Sequence, residues 1–324
     1  MIKWGILGLG NIAKKFASDL KLVPTATLYA VASRDLTKAN EFAHENNVSK
    51  AFGTYQQLFE DKEITVIYIA TPHNNHAELS IQAMTHGKHV LCEKPLGVNE
   101  KEVRAMVAAS KNNKVFLMEG LWSRFNPTIK KVKSLIESKE IGTLHHMYAD
   151  FAFYGLNRDE NSRLLNLSMA GGSLLDIGIY PVFLAYLFLG KPETILAKSN
   201  FHSTGVEIQT SIIFHYKKAQ AMLYSGLNST TQTIAEFSGS EGSILIPSRW
   251  HEAQGYVINK DGESSFFSLP RKGLGFTYEI DEVQECIIKN KTESELWNHQ
   301  NSIDLAQLLD SIRKEVGIIF PFEK

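Results

Sequence analysis

Cysteine is nearly missing: Cys92 and Cys286 are the two thiols in 324 residues. Two cysteines so far apart cannot build a disulfide scaffold or a thiolate metal cluster, so stability must come from a buried core, and a reducing compartment fits. Proline and glycine are ordinary at 9 and 22, and no stretch concentrates them into a linker or low-complexity tract. An excess of either charge is lacking too. Lys and Arg number 34 against 35 Asp and Glu, a formal net charge of -1 without long single-sign runs. That balance removes the electrostatic reason to expect nucleic acid or an anionic membrane as partner. No uninterrupted apolar run approaches bilayer-spanning length, and strand-like residues begin at Ile2, where a secretory signal needs a charged and then an apolar region. These absences lead to the expectation of a soluble, cytoplasmic chain with a small-molecule partner.

What is present is a globular composition. With 44% hydrophobic residues the chain can bury a sizeable core, and its length divides most naturally into about two domains. Up to residue 118, short apolar runs at 3–7, 27–32, 66–70, 89–92 and 114–118 alternate with stretches of helical period, best at 76–86 and 99–112. This is the pattern of βαβ units on a parallel sheet. Beyond it come a helix near 127–138, a strand near 144–154, a helical stretch at 176–189, alternating runs at 207–215, 220–227 and 233–237, and closing helices near 278–289 and 302–316. The expected class is α/β: a parallel-sheet domain over 1–121 and an α+β domain over 122–324 with a large, mostly antiparallel sheet. Such a sheet with one bare face needs a cover, which its own helices or a second copy of the chain in a homodimer can supply.

The segment Gly8-Leu9-Gly10-Asn11-Ile12-Ala13 follows the first strand and opens a helix, the context a dinucleotide fingerprint needs. Gly8 permits the tight turn, Gly10 lets a pyrophosphate approach the backbone, and small Ala13 lets the helix pack near the strand, with the anion at the helix N-terminus. The domain over 1–121 is therefore expected to be an NAD(P)-binding Rossmann domain. Its second strand ends Ala32-Ser33-Arg34-Asp35. Ser33 can donate a hydrogen bond and Arg34 a charge-assisted one, which favours the 2'-phosphate of NADP. If the strand runs further, Asp35 takes the ribose hydroxyls and the cofactor is NAD.

Cys92-Glu93-Lys94-Pro95 follows the fourth expected strand, at the sheet edge where open α/β folds place ligands. Pro95 disfavours a helical backbone at Lys94, so the ammonium rides on a stiff loop where burial and cofactor charge can tune it. A second cluster, Gly171 to Pro181, carries Asp176 and Tyr180 four residues apart, on one face if helical. By itself Asp-x-x-x-Tyr more commonly marks a helix surface. Converging near a nicotinamide, a carboxylate, a phenol and a lysine provide the proton acceptor and donors that hydride transfer from a carbinol requires.

With Gly-Leu-Gly-Asn-Ile-Ala at Gly8, Thr71-Pro72-His73-Asn74-Asn75-His76, Glu93-Lys94-Pro95 and Asp176-Ile177-Gly178-Ile179-Tyr180 in order, the chain resembles the glucose-fructose oxidoreductase, inositol dehydrogenase and rhizopine-catabolism (Gfo/Idh/MocA) family over nearly its whole length. The resemblance implies that Lys94 is the central catalytic residue, that Glu93 and Lys94 lie against the nicotinamide end, and that Thr71, Pro72, Asn74 and His76 line the cofactor cleft. It also implies roles for Asp176 and Tyr180. Tyr180, where many members have His, is similar to the glucose-fructose oxidoreductase and dihydrodiol or xylose dehydrogenase branch, which mostly uses NADP. The run Met118 to Pro127 resembles the dihydrodiol dehydrogenase branch, whose crossover between domains holds a Trp and an Arg, here Trp122 and Arg124.

The expected function is NADP-dependent hydride transfer to or from a CH–OH carbon of a small cyclic polyol, sugar or dihydrodiol. Alternatives are an NAD-dependent inositol-type dehydrogenase and a non-catalytic NADP(H) sensor of the same fold. No metal is expected, since His73, His76, His86 and His89 lack a completing carboxylate or thiol cluster. Trp122, Phe151, Phe153, Trp250 and Phe276 are candidates for an aromatic pocket, though aromatics at such spacings more commonly fill a core.

Overall fold

The computed structural model describes residues 1–323, which divide into two compact units, one of Met1–Arg124 with Lys272–Ile303 and one of Phe125–Arg271 with the chain from Asp304 onward. In the first unit β1 (Ile2–Leu7), β2 (Ala26–Ala32), β3 (Lys50–Phe52), β4 (Val66–Ile69), β5 (His89–Glu93) and β6 (Leu117–Gly120) alternate with α1 (Asn11–Leu20), α2 (Leu36–Asn46), α3 (Tyr55–Glu60), α4 (His76–Thr85) and α5 (Glu100–Asn113). The strands form one parallel sheet in the order β3-β2-β1-β4-β5-β6. Both faces are covered, so the inner strands read as continuous apolar runs, and β4 is buried at every position. The strand order reverses between β1 and β4, the switch point at which such sheets open a crevice. The sixth strand starts at Leu117 and not at 114, because Lys114 takes the left-handed C-cap of α5 and the amide of Val115 bonds back to Ser110.

The second unit holds α6 (Pro127–Glu137), β7 (Leu144–Ala152), a π-helical turn (Leu174–Gly178) running into α7 (Ile179–Leu189), and strands β8 (Thr194–Phe201), β9 (Glu207–Tyr216), β10 (Ala219–Gly226), β11 (Ala235–Gly239), β12 (Ser243–Ile246), β13 (Gly255–Lys260) and β14 (Glu263–Ser268). These last seven strands and β7 make a sheet in the order β14-β13-β12-β11-β7-β10-β9-β8. Neighbours are antiparallel except β7 and β10, as the alternating sequence pattern predicts. In β9, Ile212 and Phe214 are buried while Ser211, Ile213 and His215 point outward, so one face packs on α7 and the π-turn. By length and composition Leu167–Leu189 is apolar enough to cross a membrane, which corrects the expectation that no stretch reaches that length. In the structure 78% of its window is buried within the protein, the behaviour of a core helix.

The chain ends with α8 (Thr277–Ile288) and α9 (His299–Val316). Residues 272–303 pack with the first unit, a return for which a single boundary at 121/122 has no place. The buried Asp19 of α1 holds them: its carboxylate accepts the amides of Leu274 and Phe276, each at 2.8 Å. The ring of Phe276 then meets Phe16 edge-on at 6.0 Å and stacks on Trp122 at 4.9 Å.

Candidate active site

In the first unit the loops after β1, β2, β4 and β5 share the C-terminal edge of the sheet. Gly8 has φ +90°, and a Cβ there would meet the Ala70 carbonyl oxygen at 2.7 Å, so only glycine passes between the ends of β1 and β4. A Cβ on Gly10, at the N-cap of α1, would meet nothing within 4 Å. Among the described residues no side chain caps α1, which leaves the first-turn amides at Asn11 and Ile12 available to an anion. An open cradle on bare amides fits a pyrophosphate.

At the end of β2, Asp35 is the N-cap of α2, and its carboxylate accepts the amides of Thr37 at 2.9 Å and Lys38 at 3.3 Å. The Ser33 hydroxyl accepts the Asp35 amide at 3.2 Å, and Arg34 is exposed. The carboxylate that the sequence left as a rival for the ribose is thus engaged in starting a helix.

After β4, Thr71, Pro72 and Asn74 form the loop and short 3-10 turn leading into α4. His76, fully buried, sits with Nδ1 2.8 Å from the Pro95 carbonyl oxygen and Nε2 2.9 Å from that of Thr71. The histidine therefore ties the two loops to each other. After β5, the Tyr68 hydroxyl donates to one oxygen of the buried Glu93, and the other accepts the Lys94 amide at 3.3 Å. The half-buried Lys94 precedes a cis peptide bond to Pro95. The Leu96 amide donates to the Glu119 carboxylate at 2.9 Å. Trp122 stacks on Phe276, and the Arg124 Nε donates to the Leu296 carbonyl at 2.8 Å.

In the second unit Asp176 lies in the π-turn and Tyr180 in the first turn of α7, both buried. A π-turn changes the angular offset of a four-residue spacing, so the shared face expected of a regular helix is altered there. Asp176 pairs with Arg163 at 2.6 Å. Glu207 of β9 secures the start of the π-turn, accepting the Ser173 hydroxyl at 2.6 Å and the Leu174 amide at 2.9 Å. The Tyr180 ring is 5.5 Å from Phe151, 5.6 Å from His251 and 6.4 Å from Trp250, with His251 stacked on Phe151 at 4.3 Å. The Trp250 indole donates to the Asp150 carbonyl at 2.9 Å.

The sequence over residues 2–121 matches the model of an oxidoreductase family with an NAD-binding Rossmann fold, and residues 129–245 match the C-terminal domain model of the same GFO/IDH/MocA family. The chain belongs to this family. Among its relatives, a trans-1,2-dihydrobenzene-1,2-diol dehydrogenase of Mus musculus is 37% identical, covering 100% of this chain and 99% of that protein. The dehydrogenase of the same name from Homo sapiens is 35% identical over 100% and 99%. In fold the chain is similar to KijD10, a 3-ketoreductase from Actinomadura kijaniata in complex with NADP and TDP-benzene, with a TM-score of 0.89, 24% identity, and coverage of 97% and 98%. It is also similar to the aldose-aldose oxidoreductase of Caulobacter crescentus, with a TM-score of 0.89, 22% identity, and coverage of 98% and 97%.

For this oxidoreductase the structure sorts the five aromatic candidates by unit. Phe151 and Trp250 gather around Tyr180, Trp122 and Phe276 stack in the nucleotide unit, and Phe153 lies under Arg158 at 5.5 Å. Two neighbours had no signal in the sequence. Arg163 reaches Asp176 across a loop, and His251 is one of several histidines without a motif. In the nucleotide unit Glu279 also had none: it is fully buried on the first turn of α8, with no hydrogen-bond partner for either carboxylate oxygen among the described residues.

Burial, with the charges of Glu93 and Asp19, pushes the Glu279 carboxyl well above its ordinary value of 4.5. A carboxyl whose pKa is raised on folding contributes stability that is present below its unfolded value and is lost as pH rises. Glu279→Gln keeps the shape and removes that dependence. The variant is expected to gain about 1–3 kcal/mol over the parent near pH 8 and less near pH 5. Denaturant melts at both pH values check this, and a difference independent of pH would refute it.

Proposed function

We propose that this chain, an NAD(P)-dependent dehydrogenase, uses NADP and moves a hydride to or from a CH–OH carbon of a small cyclic substrate, a dihydrodiol before a polyol or sugar. The observation that carries the substrate class is full-length similarity to dehydrogenases named for trans-1,2-dihydrobenzene-1,2-diol. Support for NADP comes from the end of β2, where Asp35 caps α2 while Arg34 stays exposed beside Ser33. A guanidinium and a hydroxyl suit a 2'-phosphate.

Gly8, Gly10, Asn11 and Ile12 hold the pyrophosphate, and Thr71, Pro72, Asn74, Glu93, Trp122 and Arg124 line the remainder of the cofactor site. His76 serves it by holding the loops at Thr71 and Pro95. Bound nicotinamide supplies the hydride acceptor or donor. In the oxidative direction we assign uptake of the hydroxyl proton to Lys94 or Tyr180. Asp176, paired with Arg163, orients the substrate hydroxyls or the basic groups.

A screen of trans-dihydrodiols, inositols and aldoses, with their ketones, read by absorbance of the reduced cofactor with NADP and NAD in parallel, tests the reading. Turnover of a dihydrodiol with NADP preferred is expected. Preference for NAD would overturn the cofactor assignment, and silence throughout would favour a sensor.

The outer face of the second sheet supports a homodimer. Leu196, Ile213 and Met222 stand side by side in register and are 60%, 37% and 47% exposed, an apolar row that a second copy would cover. Met222→Glu should convert the dimer to a monomer in sedimentation at micromolar concentration; an unchanged mass would exclude this face. We place the enzyme in the cytoplasm, where the free, buried thiols of Cys92 and Cys286 stay reduced.

A further inference from the structure

Glu119, on β6, has no place in the reading above. Its side chain is buried and fully bonded: one oxygen accepts the Leu96 amide at 2.9 Å, and the other accepts the Ser302 hydroxyl at 2.7 Å and the Trp297 indole N–H at 3.3 Å. Leu96 lies two residues beyond Lys94, across the Pro95 bond, so the carboxylate anchors the turn that carries the ammonium. Proline cannot supply an amide donor at 95, which makes the Leu96 amide the next backbone donor after that of Lys94. Ser302 and Trp297 in turn fix the carboxylate, and the Trp297 indole bonds the Ser302 hydroxyl at 2.9 Å.

We infer that Glu119 is a positioning residue for Lys94, holding the Lys94-Pro95 turn through the Leu96 amide. Its catalytic meaning rests on the role proposed for Lys94. Burial raises the Glu119 carboxyl above its ordinary value, while the bonds from Ser302, Leu96 and Trp297 and the charge of Lys94 draw it back down. An interaction between two charges acts equally on both, so ionised Glu119 favours the ammonium form of Lys94. Other titratable groups around this turn include His76 at the start of α4, whose Nδ1 lies 2.8 Å from the Pro95 carbonyl oxygen, Glu93 and Cys92 on β5, Tyr68 on β4, and Glu279 on α8 with Asp19 on α1 beside it.

The test is competitive labelling of the amine in Glu119→Gln with acetic anhydride from pH 6 to 11, read at Lys94 by peptide mass spectrometry. Half-buried Lys94 is accessible to the reagent, and no substrate is needed. Glutamine retains an oxygen for the Leu96 amide and loses the charge. The labelling midpoint of Lys94 should fall by roughly half a unit to two units, with NADP affinity by fluorescence titration kept within about threefold. The acid limb of the kcat/KM profile should move to lower pH in the same sense. A midpoint that stays in place in the folded variant would overturn the inference.

Should Glu119→Gln not fold, Lys94→Met reads the same coupling from the other side. Loss of the ammonium raises the Glu119 carboxyl further, so stability must fall more steeply with pH between 5 and 8 than in the parent. Parallel slopes would also overturn the inference. If Lys94→Met kept full turnover, the functional reading would fail instead, and the labelling result would stand.

Discussion

Lys94→Met is expected to lower kcat by roughly two to four orders of magnitude, the range for loss of a positioned proton acceptor. Cofactor binding should survive. The cradle at Gly8 and Gly10 and the amides of α1 lie on a different loop from Lys94, and the neighbouring Glu93 accepts a hydrogen bond from Tyr68. Lys94 is half-buried, so methionine costs little packing, and near pH 5 stability should change by about 1 kcal/mol or less. The measurement is single-turnover and steady-state kinetics beside NADP titration. Turnover within a few-fold of the parent would remove Lys94 from the chemistry, whereas loss of NADP affinity would make it a binding residue.

The second large effect concerns the choice of cofactor. Arg34→Ala should weaken NADP by about 1.5–3 kcal/mol, the contribution of a charge-assisted hydrogen bond. That corresponds to roughly a tenfold to hundredfold rise in KM for NADP with little change for NAD. Because Asp35 already accepts two amides of α2, it should not rescue NAD binding by turning toward a ribose. Competing cofactor titrations read both numbers. Equal losses for NADP and NAD would show that Arg34 supports the loop and not the 2'-phosphate.

Much of the nucleotide unit was legible in advance because its signals are local. A glycine run between a strand and a helix, a proline after a lysine, and apolar runs at strand length each state their consequence within about ten residues. Errors arose where one residue had two possible employments. Lys114 and Val115 read as strand but complete the C-cap of α5. Asp176 and Tyr180 read as a regular helical pair, yet a π-turn secured by Glu207, more than thirty residues away, intervenes.

Other contacts had no local sign at all. The ion pair of Arg163 with Asp176, the stacking of His251 on Phe151, and the capture of residues 274–276 by Asp19 join segments whose pairing no periodicity reports. The same holds for Glu119, where Leu96, Trp297 and Ser302 converge from two distant stretches of the chain.

Sequence alone determined the alternation of strands and helices in the nucleotide unit, the glycine turn after β1 and the family, because hydrophobic period and short motifs are properties of neighbours along the chain. Tertiary structure decided which carboxylates are engaged and which are buried without a partner, and where residues 272–303 belong. Those outcomes depend on burial and on hydrogen-bond partners supplied from far away, and desolvation of a group such as Glu279 exists only once the chain has closed around it.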